Sequence, residues 1–230
     1  ATPYPQASVS FPIVGIGASA GGLEALEQFL GHVPAGSGMA FVIVQHLDPT
    51  HKGIMPELLQ RATGMKVIQV KDRTKVRPDC VYVIPPNKDM SILHGILHLL
   101  EPAAPRGLRL PIDFFLRSLA QDQGEKAICI VLSGMGTDGA LGLRAIKEAF
   151  GMAMVQAPET AKYDSMPRSA IETGLVDYVL PPEKMGKHLL EYAKRATNRV
   201  APRDFPKDGE LPDAMQKIFI LLRAQTGHDF

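Results

Sequence analysis

The chain has 230 residues, with 25 Lys and Arg against 24 Asp and Glu and a formal net charge of +1, so no net field draws it to nucleic acid or to an anionic membrane surface. That length holds one large α/β core plus an appendage. Cys80 and Cys129 sit inside apolar runs and read as buried thiols, a usage that suits a reducing cytoplasm, while the apolar runs are strand-sized, short of the roughly 18 residues a membrane helix needs.

An irregular opening, residues 1–10, gives way to Ile13-Val-Gly-Ile-Gly17, a short apolar strand ending in glycine. Leu23, Leu26, Phe29 and Leu30 recur at helical spacing before Gly31, so the first unit is strand, glycine-rich turn, helix. Met39 to Val44 is a continuous apolar run of the kind a parallel sheet covered on both faces requires. A helix is expected over Ile54 to Ala62, strands over Val67 to Val70 and Cys80 to Ile84, and a hairpin pairing Met90 to Leu93 with Ile96 to Leu99. Pro111 opens a helix with an apolar stripe of Ile112, Phe115, Leu116 and Leu119. The strand Ile128 to Leu132 leads through Ser133-Gly-Met-Gly-Thr-Asp-Gly139 into a helix carrying Leu141, Ala145, Ile146 and Ala149. The alternation continues through Met152 to Gln156, Pro167 to Glu172, Val176 to Val179 and Pro182 to Ala196. Repeated βα units call for a doubly wound α/β fold, with a mostly parallel sheet, helices on both faces and the small antiparallel hairpin beside it.

In such sheets chemistry collects in the loops at the carboxyl ends of the strands. After the first strand comes Gly17-Ala-Ser19-Ala-Gly21, a G-x-S-x-G pattern that presents a serine at a sharp strand-to-helix turn, with the Ala20 amide and the helix start aimed at a developing oxyanion. After the second comes Gln45-His46, and after a later one the loop holding Asp138. Three strand ends thus supply a nucleophile, a base and an acid able to orient the base. Each residue also has a plainer reading: Ser19 as a helix cap, His46 as a polar strand end, Asp138 as a turn former or cap. Gly15-Ile-Gly17-Ala-Ser-Ala20 also fits a dinucleotide fingerprint, although Gln45 and His46 stand where a ribose-binding carboxylate is expected. A metal set of His46, Asp48 and His51 is disfavoured by Pro49, which spoils a regular helical face.

From about Phe11 to Ala196 the chain resembles the catalytic domain of CheB-type protein-glutamate methylesterases. The resemblance runs through Ile16-Gly-Ala-Ser-Ala-Gly-Gly22, Gln45-His46, Val83-Ile-Pro-Pro-Asn-Lys-Asp-Met90, Leu132-Ser-Gly-Met-Gly-Thr-Asp-Gly139 and Met166-Pro-Arg-Ser-Ala170. It implies Ser19 as nucleophile, His46 as base and Asp138 as orienting acid, with the backbone amides of Ala20 and Met135 as candidates for the oxyanion hole. The implied substrates are γ-glutamyl methyl esters on the cytoplasmic helices of methylated chemoreceptors, with receptor glutamine deamidation as a second activity. No cofactor and no metal are expected. The alternative is a docking module of the same fold without turnover.

Ala20 stands where many members have Thr, and Leu47-Asp48-Pro49 where Met-Pro is familiar. The residues before Phe11 leave no room for the phosphorylated receiver domain that gates many members, so control is expected from elsewhere or from a longer parent protein. The domains expected are the irregular segment 1–10, a catalytic domain over 11–196, a Pro-rich charged linker over 197–212, and a short helix over 213–230 with a stripe of Met215, Ile218, Phe219 and Leu222. The last thirteen residues, from Ile218, resemble the opening of the N-terminal helical domain of chemotaxis receptor methyltransferases, which implies a fused or associated methyltransferase.

Overall fold

The computed structural model describes residues 9–45, 54–102 and 109–198. The expected linker and the helix over 213–230 lie outside them, as do His46, Asp48 and His51. Residues up to Ala193 form one compact unit. From Lys194 onward the described residues are the end of its last helix.

Among the described residues ten strands and six α-helices follow one another as β1 (Ile13–Ala18), α1 (Gly22–Gly31), β2 (Ala40–Gln45), α2 (Ile54–Ala62), β3 (Lys66–Gln69), β4 (Thr74–Lys75), β5 (Cys80–Val83), β6 (Asp89–Leu93), β7 (Ile96–Leu100), α3 (Pro111–Gln123), β8 (Ala127–Val131), α4 (Ala140–Glu148), β9 (Met152–Gln156), α5 (Ser165–Ile171), β10 (Tyr178–Leu180) and α6 (Pro182–Asn198). Seven strands form a parallel sheet in the order β10-β9-β8-β1-β2-β5-β3. β6 and β7 make the expected antiparallel hairpin, and β4 joins it as a third strand. Two residues of Thr and Lys carry no hydrophobic period, so β4 had no sequence signal.

Both faces of the sheet are covered. β1 shows how: Val14, Ile16 and Ala18 pack on one side with Leu26, Phe29, Leu30 and Leu59. Ile13 packs on the other with Ile112, Phe115, Leu116 and Leu143. Gly15 and Gly17 also face α3. A Cβ on Gly15 would lie 2.8 Å from Leu116 Cδ2, and one on Gly17 would collide with Ile112 Cγ2. Their missing side chains let α3 lie directly on the central strand.

β1 pairs with β2 on one edge and β8 on the other. The helices that follow β1 and β8 leave on opposite faces, since α1 packs with Val14 and Ile16 whereas α4 packs with Ile13 and the α3 stripe. The β1 and β8 loops therefore diverge at a topological switch point, where open α/β sheets form a crevice.

Candidate active site

Ser19 follows the last residue of β1 and is partly exposed at this crevice. Its N–H donates to the Ser133 carbonyl at 3.0 Å, and Leu132 N–H donates to the Gly17 carbonyl at 2.9 Å, so the β1–β8 pairing continues past both strand ends. Its own carbonyl accepts from Gly22 N–H at 2.9 Å and from Gln45 Nε2 at 3.3 Å. The turn is thus tied to β8, to the start of α1 and to the end of β2. Ser19 is absent from the residues with positive φ; the left-handed residue is Gly21, at φ 70°. A Cβ there would lie 2.8 Å from Ser133 Oγ, so Gly21 meets both a conformational and a steric demand. The sequence expectation of a sharp turn eased by glycines holds at Gly21, whereas Gly17 serves helix packing.

The loop from Ser133 to Gly139 faces this turn. Ser133 Oγ donates to the Ala20 carbonyl at 2.9 Å and accepts from Tyr163 N–H at 3.0 Å. Gly134 N–H donates to the Tyr163 carbonyl at 3.0 Å, and Gly136 N–H to Ser165 Oγ at 3.0 Å. A Cβ on Gly134 would lie 2.9 Å from Ser19 Cβ and would overlap Met166 Sδ, so only glycine permits the loop to approach the serine this closely. Met135 lies between these two anchored glycines with its side chain 60% exposed. Among the described residues the Ala20 and Met135 amides donate to no protein acceptor. Both amides belong to the two loops that meet at Ser19 and Ser133.

Asp138 is 2% exposed at the far end of the loop. Its Oδ2 accepts from Ile112 N–H at 3.0 Å and its Oδ1 from Asp113 N–H at 2.8 Å. The carboxylate therefore caps α3, a helix 26 residues away in sequence, where its charge complements the helix N-terminus. The cap reading of Asp138 is correct, but the helix is not the one that follows it. Its place is taken at α4 by Asp113, whose Oδ1 accepts from Gly139 N–H at 2.9 Å and Gly142 N–H at 2.6 Å. Burial pushes the Asp113 carboxyl above the usual carboxylate range, with the nearby Asp138 charge adding to the effect. Asp89, at the start of β6, is raised by burial and by the same charge, with Arg109 opposing.

Sequence reasoning selected Ser19, Ala20, Met135 and Asp138, and the fold brings their two loops together on neighbouring strands. His46 follows the end of β2 in sequence but lies outside the described residues. Ser133, Asp113 and Asp89 were missed as site residues. Asp113 is not part of the expected apolar stripe of Ile112, Phe115, Leu116 and Leu119, and its signal is a carboxylate at the third residue of a helix opened by proline. The dinucleotide reading loses its basis in the first two glycines, because both face α3. No cluster of three or more metal-ligating side chains occurs among the described residues. A groove of about 1060 Å³ runs between α3 and α4, lined by Arg117, Gln121, Leu141, Arg144 and Phe150. It shares no lining residue with the Ser19 turn or the 133–139 loop.

Residues 14–189 match the family model described as CheB methylesterase. The protein-glutamate methylesterase/protein-glutamine glutaminase 1 of Syntrophomonas wolfei is 36% identical over 186 residues, covering 77% of this chain and 53% of that protein. A putative protein-glutamate methylesterase/protein-glutamine glutaminase of Leptospira interrogans is 34% identical over 185 residues, 78% of this chain and 93% of the relative. An uncharacterised 104.1 kDa protein of Rhodobacter capsulatus is 43% identical over 141 residues, of which this chain spans 15%. The crystal structure of the Thermotoga maritima CheB methylesterase catalytic domain superposes with a TM-score of 0.74 at 30% identity, covering 80% of this chain and all of that one. The fold is thus one already seen in a solved relative, and the chain is a member of the CheB methylesterase family.

Proposed function

We propose that this chain is a protein-glutamate methylesterase that hydrolyses γ-glutamyl methyl esters on chemoreceptors through Ser19, His46 and Asp138. The observation that carries the reading is the joining of the Ser19 turn to the Ser133–Gly139 loop through the 3.0 Å bond from Ser19 N–H to the Ser133 carbonyl. A partly exposed serine, two amides that donate to no protein acceptor among the described residues and a buried carboxylate thus lie in the loops that follow two neighbouring strands. The names of the Syntrophomonas and Leptospira relatives support the same substrate class.

In the proposed reaction His46 takes the Ser19 hydroxyl proton as the oxygen attacks the ester carbonyl, and Asp138 orients the imidazole and stabilises the imidazolium. The Ala20 and Met135 amides receive the oxyanion. Collapse transfers the proton from His46 to departing methanol, and water then attacks the acyl-enzyme to release glutamate. The same sequence applied to a receptor glutamine releases ammonia, which accounts for the second activity in the relatives' names. Receptor helices, a cytoplasmic setting and a fused or associated methyltransferase complete the proposal. No helix among the described residues is long and apolar enough to cross a membrane, and the 104.1 kDa relative shows that a chain matching this domain can be several times longer.

Methanol release from a methylated receptor fragment tests the reading. Ser19→Ala is expected to lose about three or more orders of magnitude in turnover with its fold intact. Substantial methylesterase activity in the well-folded variant removes Ser19 from the mechanism.

A further inference from the structure

Asp113 and Asp138 exchange caps. Asp138 accepts two amide bonds from the first turn of α3, one of them from Asp113 itself, while Asp113 Oδ1 accepts from Gly139 and Gly142 at the start of α4. Neither helix has a capping side chain of its own. Gly142 has no side chain in the way: a Cβ there would lie 2.6 Å from Leu116 Cβ and 3.1 Å from Asp113 Cα. The remaining oxygen, Asp113 Oδ2, is buried without a hydrogen-bond partner among the described residues. One oxygen of Asp113 thus fixes the residue after Asp138, and Asp138 in turn fixes the backbone that carries Asp113.

We infer that Asp113 is a positioning residue for Asp138: its Oδ1 clamps the Gly139–Gly142 turn, so that the Asp138 carboxylate keeps one orientation at the crevice. The inference rests on the reading of Asp138 as the group that orients His46. An orienting acid must hold its direction through the proton transfers, and the end of a loop exposed at Met135, Gly136 and Thr137 would not do so alone. The clamp supplies that rigidity from a residue that does not touch substrate.

The test compares Asp113→Ala, Asp113→Ser and Asp113→Asn in methyl ester hydrolysis, reading kcat, KM, the acid limb of the kcat/KM pH profile and Tm. Ala and Ser are expected to lower kcat by about tenfold or more with KM held within about twofold. Their acid limb should move to lower pH, because a carboxylate held less closely raises the imidazole pKa less. Asn keeps an oxygen for both glycine amides and should recover most of the lost kcat. Should Ala fail to fold, Ser reads the same quantities, since serine suits a first helical turn but cannot reach both amides. A folded variant with lowered Tm but wild-type kcat and acid limb overturns the inference, leaving Asp113 a structural cap. Ser19→Ala in parallel separates the two claims: wild-type turnover there overturns the triad reading and this inference together, whereas loss there with unaffected Asp113 variants overturns the inference alone.

Discussion

Ser133 holds Ser19 in register across the sheet's switch point: its carbonyl accepts the Ser19 N–H at 3.0 Å, and its hydroxyl reaches the Ala20 carbonyl at 2.9 Å. One residue of β8's exit loop thus binds the backbone on both sides of the proposed nucleophile's peptide group. The same hydroxyl accepts Tyr163 N–H, which joins the turn to the segment leading into α5.

Ser133→Ala should therefore cost about 0.5–1.5 kcal/mol, because its loss takes the acceptor from the part-buried Tyr163 amide and the hydroxyl donor from the Ala20 carbonyl. Turnover should fall by roughly tenfold to a hundredfold as the turn loses its alignment. Urea unfolding and ester hydrolysis measure the two effects. An unchanged midpoint would mean that water replaces the hydroxyl.

Asp138→Asn should cost about four orders of magnitude in turnover if it acts as the equivalent change does in a serine protease. The structure adds a stability cost. Both oxygens face backbone donors, Ile112 N–H and Asp113 N–H, so an amide nitrogen in either position sets donor against donor. A loss of about 1–3 kcal/mol is expected. Thermal unfolding beside methanol release checks the pair of effects, and a variant that loses turnover at wild-type Tm would show that the α3 cap is dispensable.

Much of this was legible in the chain because the inner parallel strands are largely apolar runs, unlike the edge strand Lys66–Gln69, and Met152 to Gln156 and Ile54 to Ala62 fall where periodicity puts them. Ser19 and Asp138 were legible for a different reason: both sit in glycine-rich loops at predicted strand ends. What stayed hidden depends on pairing in space. Asp113 reads as the polar member of an amphipathic helix until Gly139 and Gly142, 26 and 29 residues away, are seen on its oxygen. Gly15 and Gly17 look like a phosphate loop because their local sequence is the same whether the space above them holds a ligand or a helix. Only the position of α3 distinguishes the cases.

Gly17→Ala tests that packing. The added methyl would collide with Ile112 Cγ2, and overfilling a packed interface typically costs about 1–3 kcal/mol. Ile112 is also a donor to Asp138, so displacement of α3 should lower turnover as well as Tm. A double variant, Gly17→Ala with Ile112→Leu, removes the Cγ2 methyl at the collision at nearly constant side-chain volume and should regain part of both. Failure of the second change to restore any stability would argue that the backbone of β1, and not the α3 side chain, sets the cost.

The buried Asp113 carboxyl makes stability depend on pH in a definite direction. Its pKa lies above the usual carboxylate range, chiefly through burial; the Asp138 charge raises it further, and the Gly142 and Gly139 amides and Arg117 oppose. A carboxyl with a raised folded-state pKa binds its proton more tightly folded than unfolded. The stability it contributes is present in full below the unfolded carboxylate pKa and is lost as pH rises through the raised folded value. Asp113→Asn, neutral at every pH, does not suffer that loss while keeping an oxygen for Gly139 and Gly142. The difference in Tm, variant minus wild type, should therefore grow as pH rises across that interval and become flat above it. Asp89, also raised by burial, is present in both proteins and cancels in the difference. Calorimetry over a pH series makes the measurement, and a difference that shrinks with rising pH would show that the folded state favours the ionised carboxylate.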